Sequence, residues 1–262
     1  MELRDLRSES RAAIEAVRAA LRIVGDRVDA ARVTQKGPLD IATGTDLASQ
    51  AAISTILKRS HPEHGFVGEE DGEGGASSAP SHWLVDPICG TRNFSARIPV
   101  YAVNVALVED RHVTVAAVGD GAAGTVWVAE RGRGTWLARD DALTPVRASD
   151  ASRLVLLDPG RPGGPAADKA SAVITAAIHR GRWELRMLGS TLDLAYLADG
   201  RLAGVWHFSR IPPLHFAAGT LVAAEAGALV TDETGRPWNL DSPNLIGAAT
   251  RATHEALLSL LG

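Results

Sequence analysis

The stretch "WLVDPICGTRNF", Trp83 to Phe94, decides how this chain is read. An apolar, strand-like run carries Asp86 near its end, and Gly90-Thr91 follow at once. A carboxylate at a strand end beside such a turn suits a hard cation, which takes oxygen ligands and shares them with phosphate. Gly90 and Thr91 can turn backbone N–H groups toward an anion if a helical turn starts there. Between the carboxylate and the turn stands Cys89, the only cysteine among 262 residues.

Upstream, "FVGEE" (66–70) reads as a short strand ending in Glu69-Glu70, and "HPEHG" (61–65) stops a helix expected from Asp46 to Lys58. Leu3, Leu6, Ile14, Val17, Leu21 and Val24 recur at helical spacing, so the chain opens on an amphipathic helix. "DGEGGASSAPS" (71–81) has the texture of a mobile loop. Downstream, "VYAVNVALVE", "HVTVAAVGD" and "GTVWVAE" read as strands, with "EDRH" as a hairpin connection. The polar "RDDALTPVRASD" (139–150) is the best boundary, dividing an N-terminal α+β domain (1–145) from a C-terminal α/β domain (146–262). Beyond it "RLVLLD", "RWELRML", "LAGVWHF" and "LIGAAT" each precede a helical stretch, and that alternation predicts an α/β layer.

With 45% hydrophobic residues the chain can bury a sizeable core. A formal charge of −4 without Lys/Arg blocks gives no footprint for nucleic acid or a membrane surface. No run approaches the roughly 20 apolar residues of a membrane span. The charged N-terminus lacks a signal-peptide core, and one cysteine excludes an internal disulfide framework. A cytoplasmic protein is expected.

"FVGEE", "WLVDPICGTRNF" and "PPLHFAAGTLVAAEAGALVTD" (212–232) together resemble the three motifs of the inositol-monophosphatase-like, Mg²⁺-dependent phosphatases. "KGPLDIATGTD" resembles that family's upstream lysine and aspartate segment, "RGRGTWL" its hairpin, and "LGSTLDLAYLADGRLAG" its substrate-side segment. The resemblance implies a layered α-β-α-β-α fold, a homodimer, and a small anionic metabolite as ligand. It implies a first Mg²⁺ held by Glu69, Asp86 and the Ile88 carbonyl. It assigns Thr91 and Asp46 to orienting the attacking water, and Gly90, Thr91, Lys36, Gly189 and Ser190 to the phosphate or substrate side. A second ion would share Asp86 and take two further acids, but this chain has Cys89 and His215 at those positions. An inositol-contacting glutamate is also missing, since the aligned region reads "WHFSRIPPLH" (206–215).

Mg²⁺ ligates poorly to sulfur and nitrogen, so an unchanged second Mg²⁺ is not expected. Cys89 and His215 admit three roles. With Asp86 they form an O, S, N set that suits Zn²⁺ or Fe²⁺. As nucleophile and base they would do acyl transfer or cyclisation, helped by a thiol pKa lowered near a helix start. As remnants of decay they would leave a metal-free pseudophosphatase that binds an anionic ligand. The positive end of its helix favours neutral imidazole at His215, as a ligand or base requires. A divergent metal-dependent hydrolase of a small phosphorylated metabolite is the leading expectation, and free myo-inositol phosphate is not its expected substrate.

His61 and His64 lack an obvious third ligand and are expected in helix-stop and loop roles. "GRPGGP" (160–165) lacks the Lys-Ser/Thr of a P-loop. The six tryptophans read as core or interface, and Asp193 and Asp199 as a helix face and its end.

Overall fold

The computed structural model describes residues 1–27, 33–37, 40–71, 79–160, 163–164, 166–208 and 212–261; side chains are described outside 27–42. The chain starts with α1 (Ser8–Arg27), a hairpin of β1 (Val33–Gly37) and β2 (Asp40–Thr43), and α2 (Gly44–Ser60). Then come β3 (Gly65–Gly68), β4 (Ser81–Cys89) and the short α3 (Thr91–Ser95). A meander follows: β5 (Ala102–Glu109), β6 (His112–Asp120), β7 (Val126–Glu130), β8 (Gly134–Arg139) and β9 (Ala142–Pro145). The remainder alternates through β10 (Leu154–Asp158), α4 (Ala167–Arg180), β11 (Glu184–Arg186), α5 (Leu192–Ala198) and β12 (Gly204–His207). It closes with α6 (Pro213–Glu225), β13 (Leu229–Thr231), β14 (Leu245–Ala248) and α7 (Arg251–Leu258).

β3 to β9 form a seven-stranded sheet in chain order, parallel only at β3–β4. The smaller sheet runs β11-β10-β12-β14-β13, with β10 parallel to both neighbours. Side chains alternate across a strand, and β5 shows what this does. Val103, Val105 and Leu107 meet Ile14 and Val17 of α1 and Ile53 and Leu57 of α2. Ala102, Ala106 and Val108 face the opposite way, onto Ala217, Leu221 and Val222 of α6. Leu194, Leu197, Phe216 and Ala223 from the same middle helices pack on Leu156 and Val205 of the smaller sheet. α4 and α7 cover that sheet's far side through Val173, Ala177 and Leu257. The result is the α-β-α-β-α stack that the motifs predicted.

α6 is the middle of this stack. A helix held between two sheets has no solvent face, so it must be apolar all round. Phe216 to Ala223 are buried without interruption. Pro212 and Pro213 pre-set its first turn, where missing N–H donors cost nothing. Gly219 permits a close approach, since a Cβ there would lie 2.7 Å from Leu194.

Sequence patterning missed the β1–β2 hairpin, β9 and β13, which are short and have little apolar alternation. The expected loop at 71–81 is described only at its ends, and 72–78 lie outside the described residues. So do residues 161–162 and 165 of "GRPGGP" and 209–211 of "WHFSRIPPLH".

Candidate active site

Strand alternation alone would put Asp86 and Cys89 on opposite faces of β4. One extra residue prevents this. Asp86 pairs with Asn104 and Cys89 with Ala102, two positions apart, so a bulge absorbs the odd residue. Both side chains therefore face the same side. Ser49 of α2 holds the bulge by donating to the Pro87 carbonyl at 3.2 Å, and Gly90 leaves the strand with φ 99°. A Cβ at Gly90 would meet the Val100 carbonyl at 3.0 Å and the Ser190 side chain at 3.1 Å.

Asp46 reaches the site through a helix cap. Thr43 caps α2 by accepting from the Thr45 N–H, and Asp46 answers by accepting from the Thr43 N–H at 2.7 Å. The Thr43 hydroxyl also donates to Asp46 Oδ2. The other oxygen, Oδ1, lies 3.3 Å from Thr91 Oγ1, which is 2.9 Å from the Ile88 carbonyl. Burial is the largest influence on Asp46. Thr43 opposes it and the Glu70 and Asp86 charges add to it, and the carboxyl is pushed up to about 6.

Glu69 and Glu70 sit in a 3₁₀ turn, Glu69–Asp71, fixed by Gln50 of α2. Gln50 donates to Asp71 at 3.0 Å and accepts from the Glu70 N–H at 2.9 Å. Gly68 is required beneath it, since a Cβ there would lie 2.4 Å from the Gln50 amide.

His215 comes from the first turn of α6, 129 positions from Asp86, and its Nδ1 lies 2.6 Å from Asp86 Oδ2. Asp86 Oδ1 accepts from the Ile88 N–H at 3.1 Å. One ligating atom each from Asp86, Cys89 and His215 fall within 4.8 Å of one another. The thiol is 8% exposed. Its sulfur accepts from the Thr191 N–H at 3.3 Å and the Thr191 hydroxyl at 3.0 Å. Asn104 in turn donates to that hydroxyl's oxygen at 3.0 Å, aiming its proton at sulfur.

The expected lowering of the Cys89 pKa is overturned. Cys89 ends a strand, and the five-residue α3 starts two residues later. Burial first, then the Asp86 and Glu69 charges, push the thiol well above its ordinary value, and the Thr191 hydrogen bonds offset only part of that. A buried thiolate here needs a cation beside it.

Ser190, expected on the substrate side, is tied to the strand end that carries Cys89. It is 4% exposed, and its hydroxyl donates to the Cys89 carbonyl at 2.9 Å. Gly189, with φ 66°, packs against Asn93, whose amide spans the Val100 and Leu188 carbonyls at 2.8 and 2.6 Å. Lys36 lies in β1, and its side chain is outside the described residues.

Asp193 lies on α5, as the helix-face reading expected, and Asp199 ends that helix. Asp193 is fully buried, with its carboxylate 2.8 Å from His207 Nε2, and Asp158 lies 3.8 Å from Nδ1. Burial opposes a charge on His207, but the two carboxylates outweigh it and hold the imidazole pKa above its ordinary value. Thr43, Asn104, Thr191 and this pair were missed by sequence reasoning. Only Thr43 had a local signal, the "TGTD" capping pattern.

Glu69, Asp86 and the Ile88 carbonyl offer oxygen alone and fit Mg²⁺. The Asp86, Cys89 and His215 set does not, because two of its three donors are sulfur and nitrogen.

Two stacked sheets and three helical layers, with acids from the larger sheet meeting a helix start from the middle layer, give a phosphatase-like fold. The chain belongs to the inositol monophosphatase family, whose pattern it matches over residues 5–262. It is similar to Nus factor SuhB of Salmonella typhimurium, 31% identical over 256 residues, which cover 95% of this chain and 94% of that one. It is also similar to the inositol-1-monophosphatase of Rhizobium meliloti, 32% identical over 217 residues, 82% and 80% of the two chains. Among solved structures, the extragenic suppressor protein SuhB of Bartonella henselae superposes with a TM-score of 0.86 at 26% identity, covering 97% of this chain and 98% of that one. The Thermotoga maritima IMPase gives 0.80 at 26% identity, covering 95% and 94%. Among the described residues no helix is long and apolar enough to cross a membrane.

Proposed function

We propose that the protein hydrolyses a phosphate ester of a small metabolite, with Mg²⁺ at a first site of Glu69, Asp86 and the Ile88 carbonyl. A softer ion, Zn²⁺ or Fe²⁺, is assigned to Asp86, Cys89 and His215. When bound, the cations supply charge neutralisation to the phosphate oxygens. Thr91 Oγ1 holds the attacking water, and the Asp46 carboxylate accepts the proton that water gives up. The new bond is water oxygen to phosphorus, and the ester oxygen departs and is protonated. Lys36, Gly90 and the Thr91 N–H are assigned to the phosphate.

What supports this reading is the all-oxygen set that the sequence offers in Glu69, Asp86 and the Ile88 carbonyl, together with the Asp46–Thr91–Ile88 carbonyl contacts. A cysteine enzyme would need neither. The protonated state favoured for Cys89 also counts against a nucleophilic thiol, whereas a bound cation deprotonates its thiol ligand. Two hydrogen bonds into the sulfur suit a metal thiolate. Free myo-inositol phosphate remains outside the proposed substrates, and a homodimer is proposed from family membership.

Elemental analysis of the protein as isolated, followed by a phosphate-ester panel with and without Mg²⁺, tests the proposal. Expected are a soft-metal content that falls by one equivalent in Cys89→Ala, and Mg²⁺-dependent release of phosphate. The double variant Cys89→Asp/His215→Asp should bind two Mg²⁺ and stay active. If that variant binds Mg²⁺ but releases no phosphate from any ester, the hydrolase reading fails.

A further inference from the structure

Glu9, His61 and His64 carry a second cluster, far in sequence from the motifs above. One ligating atom from each falls within 4.8 Å of the others. The turn that ends α2 sets the two histidines three residues apart: the His61 N–H caps α2 on the Leu57 carbonyl, and the His64 N–H bonds the His61 carbonyl. The rings stand 5.5 Å apart and 20° from parallel, both against Trp83. The third donor, in the first turn of α1, cannot be anticipated from spacing because it lies 52 positions before His61.

His64 supplies the second, independent observation. Its side chain is 9% exposed, and its buried Nε2 has no hydrogen-bond partner. Burying such a group unsatisfied is costly, and in native proteins a buried polar atom nearly always meets a protein group, a water or an ion. The nearest acceptor is Glu63 Oε1 at 3.7 Å, which is also 3.1 Å from His61 Nδ1. Glu9 is ionised. Burial opposes this, but Arg7, at 3.0 Å, outweighs it and holds the carboxyl at about 2. Arg7 and Ser8 occupy part of the Glu9 carboxylate, and four lone-pair sites leave room for a cation.

We infer that Glu9, His61 and His64 bind a divalent transition metal of the zinc class. Imidazole nitrogen and carboxylate oxygen favour Zn²⁺, Co²⁺ or Ni²⁺ over Mg²⁺ and Ca²⁺. Parallel rings cannot both point lone pairs at one ion, so one ring turns about χ2 on binding. The ion joins the start of α1 to the end of α2, two helices that share one face of the larger sheet. Its role is that of a staple, separate from the phosphate chemistry.

The test uses the full-length chain, stripped by chelator and titrated with Zn²⁺ and Co²⁺. Binding is expected in the wild type and in Cys89→Ala. The Co²⁺ spectrum in Cys89→Ala should show visible d–d bands without a sulfur charge-transfer band. With Zn²⁺ at 100-fold its Kd, the thermal midpoint should rise by roughly 5 °C. His61→Gln/His64→Gln should lose one equivalent and that rise while releasing phosphate as the parent does. Glu9→Gln, which leaves both rings in place, should weaken binding at least tenfold. Unchanged Zn²⁺ stoichiometry and midpoint in both variants would overturn the site, whatever becomes of the hydrolase assignment.

Discussion

Asp46→Asn should separate stability from activity. Asp46 is 1% exposed and its pKa is moved from 3.8 to about 6, chiefly by burial. At about 1.4 kcal/mol per pH unit, ionised Asp46 destabilises the metal-free fold by about 3 kcal/mol above pH 6. The sign follows from proton binding. Between pH 3.8 and 6 the folded chain holds a proton that the unfolded chain has lost, so stability falls as pH rises through that window. Asparagine removes the charge and keeps an acceptor for the Thr43 N–H. Urea unfolding in chelator at pH 7.5 should therefore show the variant more stable by about 1–3 kcal/mol, allowing for weakened Thr43 contacts. The gain should shrink toward zero as pH falls below 5. Phosphate release at pH 7.5 should fall by about 10²-fold or more. A variant less stable than the parent at pH 7.5, with a difference that ignores pH, would refute the assignment of Asp46 as a buried charge held for catalysis.

Gly68→Ala pushes the Gln50 amide aside, and that amide fixes the Glu69–Asp71 turn. Its unfolding free energy should fall by only about 1 kcal/mol, while Mg²⁺ dependence of the rate weakens sharply in titrations. Thr191→Val takes a donor from the Cys89 sulfur and an acceptor from the buried Asn104 amide. Chemical denaturation should show a loss of about 1–3 kcal/mol, and elemental analysis less soft metal. Gly119→Ala would put a Cβ 2.6 Å from Val17 of α1. That clash should cost about 1–3 kcal/mol in the same assay without changing KM.

The layered fold was legible because its signals are local. Apolar alternation marks β4 to β7, helical spacing marks α1, and the motif residues fall at strand ends and helix starts. The site was legible as a set of residue types, but its geometry was not. Asp86 and Cys89 stand three apart, a spacing that strict strand alternation puts on opposite faces, and the bulge at Pro87-Ile88 turns them together. Proximity to α3 suggested an acidified thiol, but burial and two carboxylates dominate over so short a helix. Thr191, the partner of the sulfur, stands 102 positions away. Glu9 and Asp193 were missed likewise, because spacing cannot show which distant helix faces a histidine.

Cys89 lies on the larger sheet, while its neighbours Ser190 and Thr191, in the turn that starts α5, and His215 of α6 belong to the adjoining layer. Only 8% of Cys89 is exposed, so attack by a small electrophile on the sulfur should quicken when the two slabs part. With the apo chain and no engineered label, the alkylation rate divided by that of a free thiol, corrected for protonation, becomes a gauge of how often the sandwich breathes. Ligands that bridge the slabs should slow that clock in proportion to how tightly they clamp them.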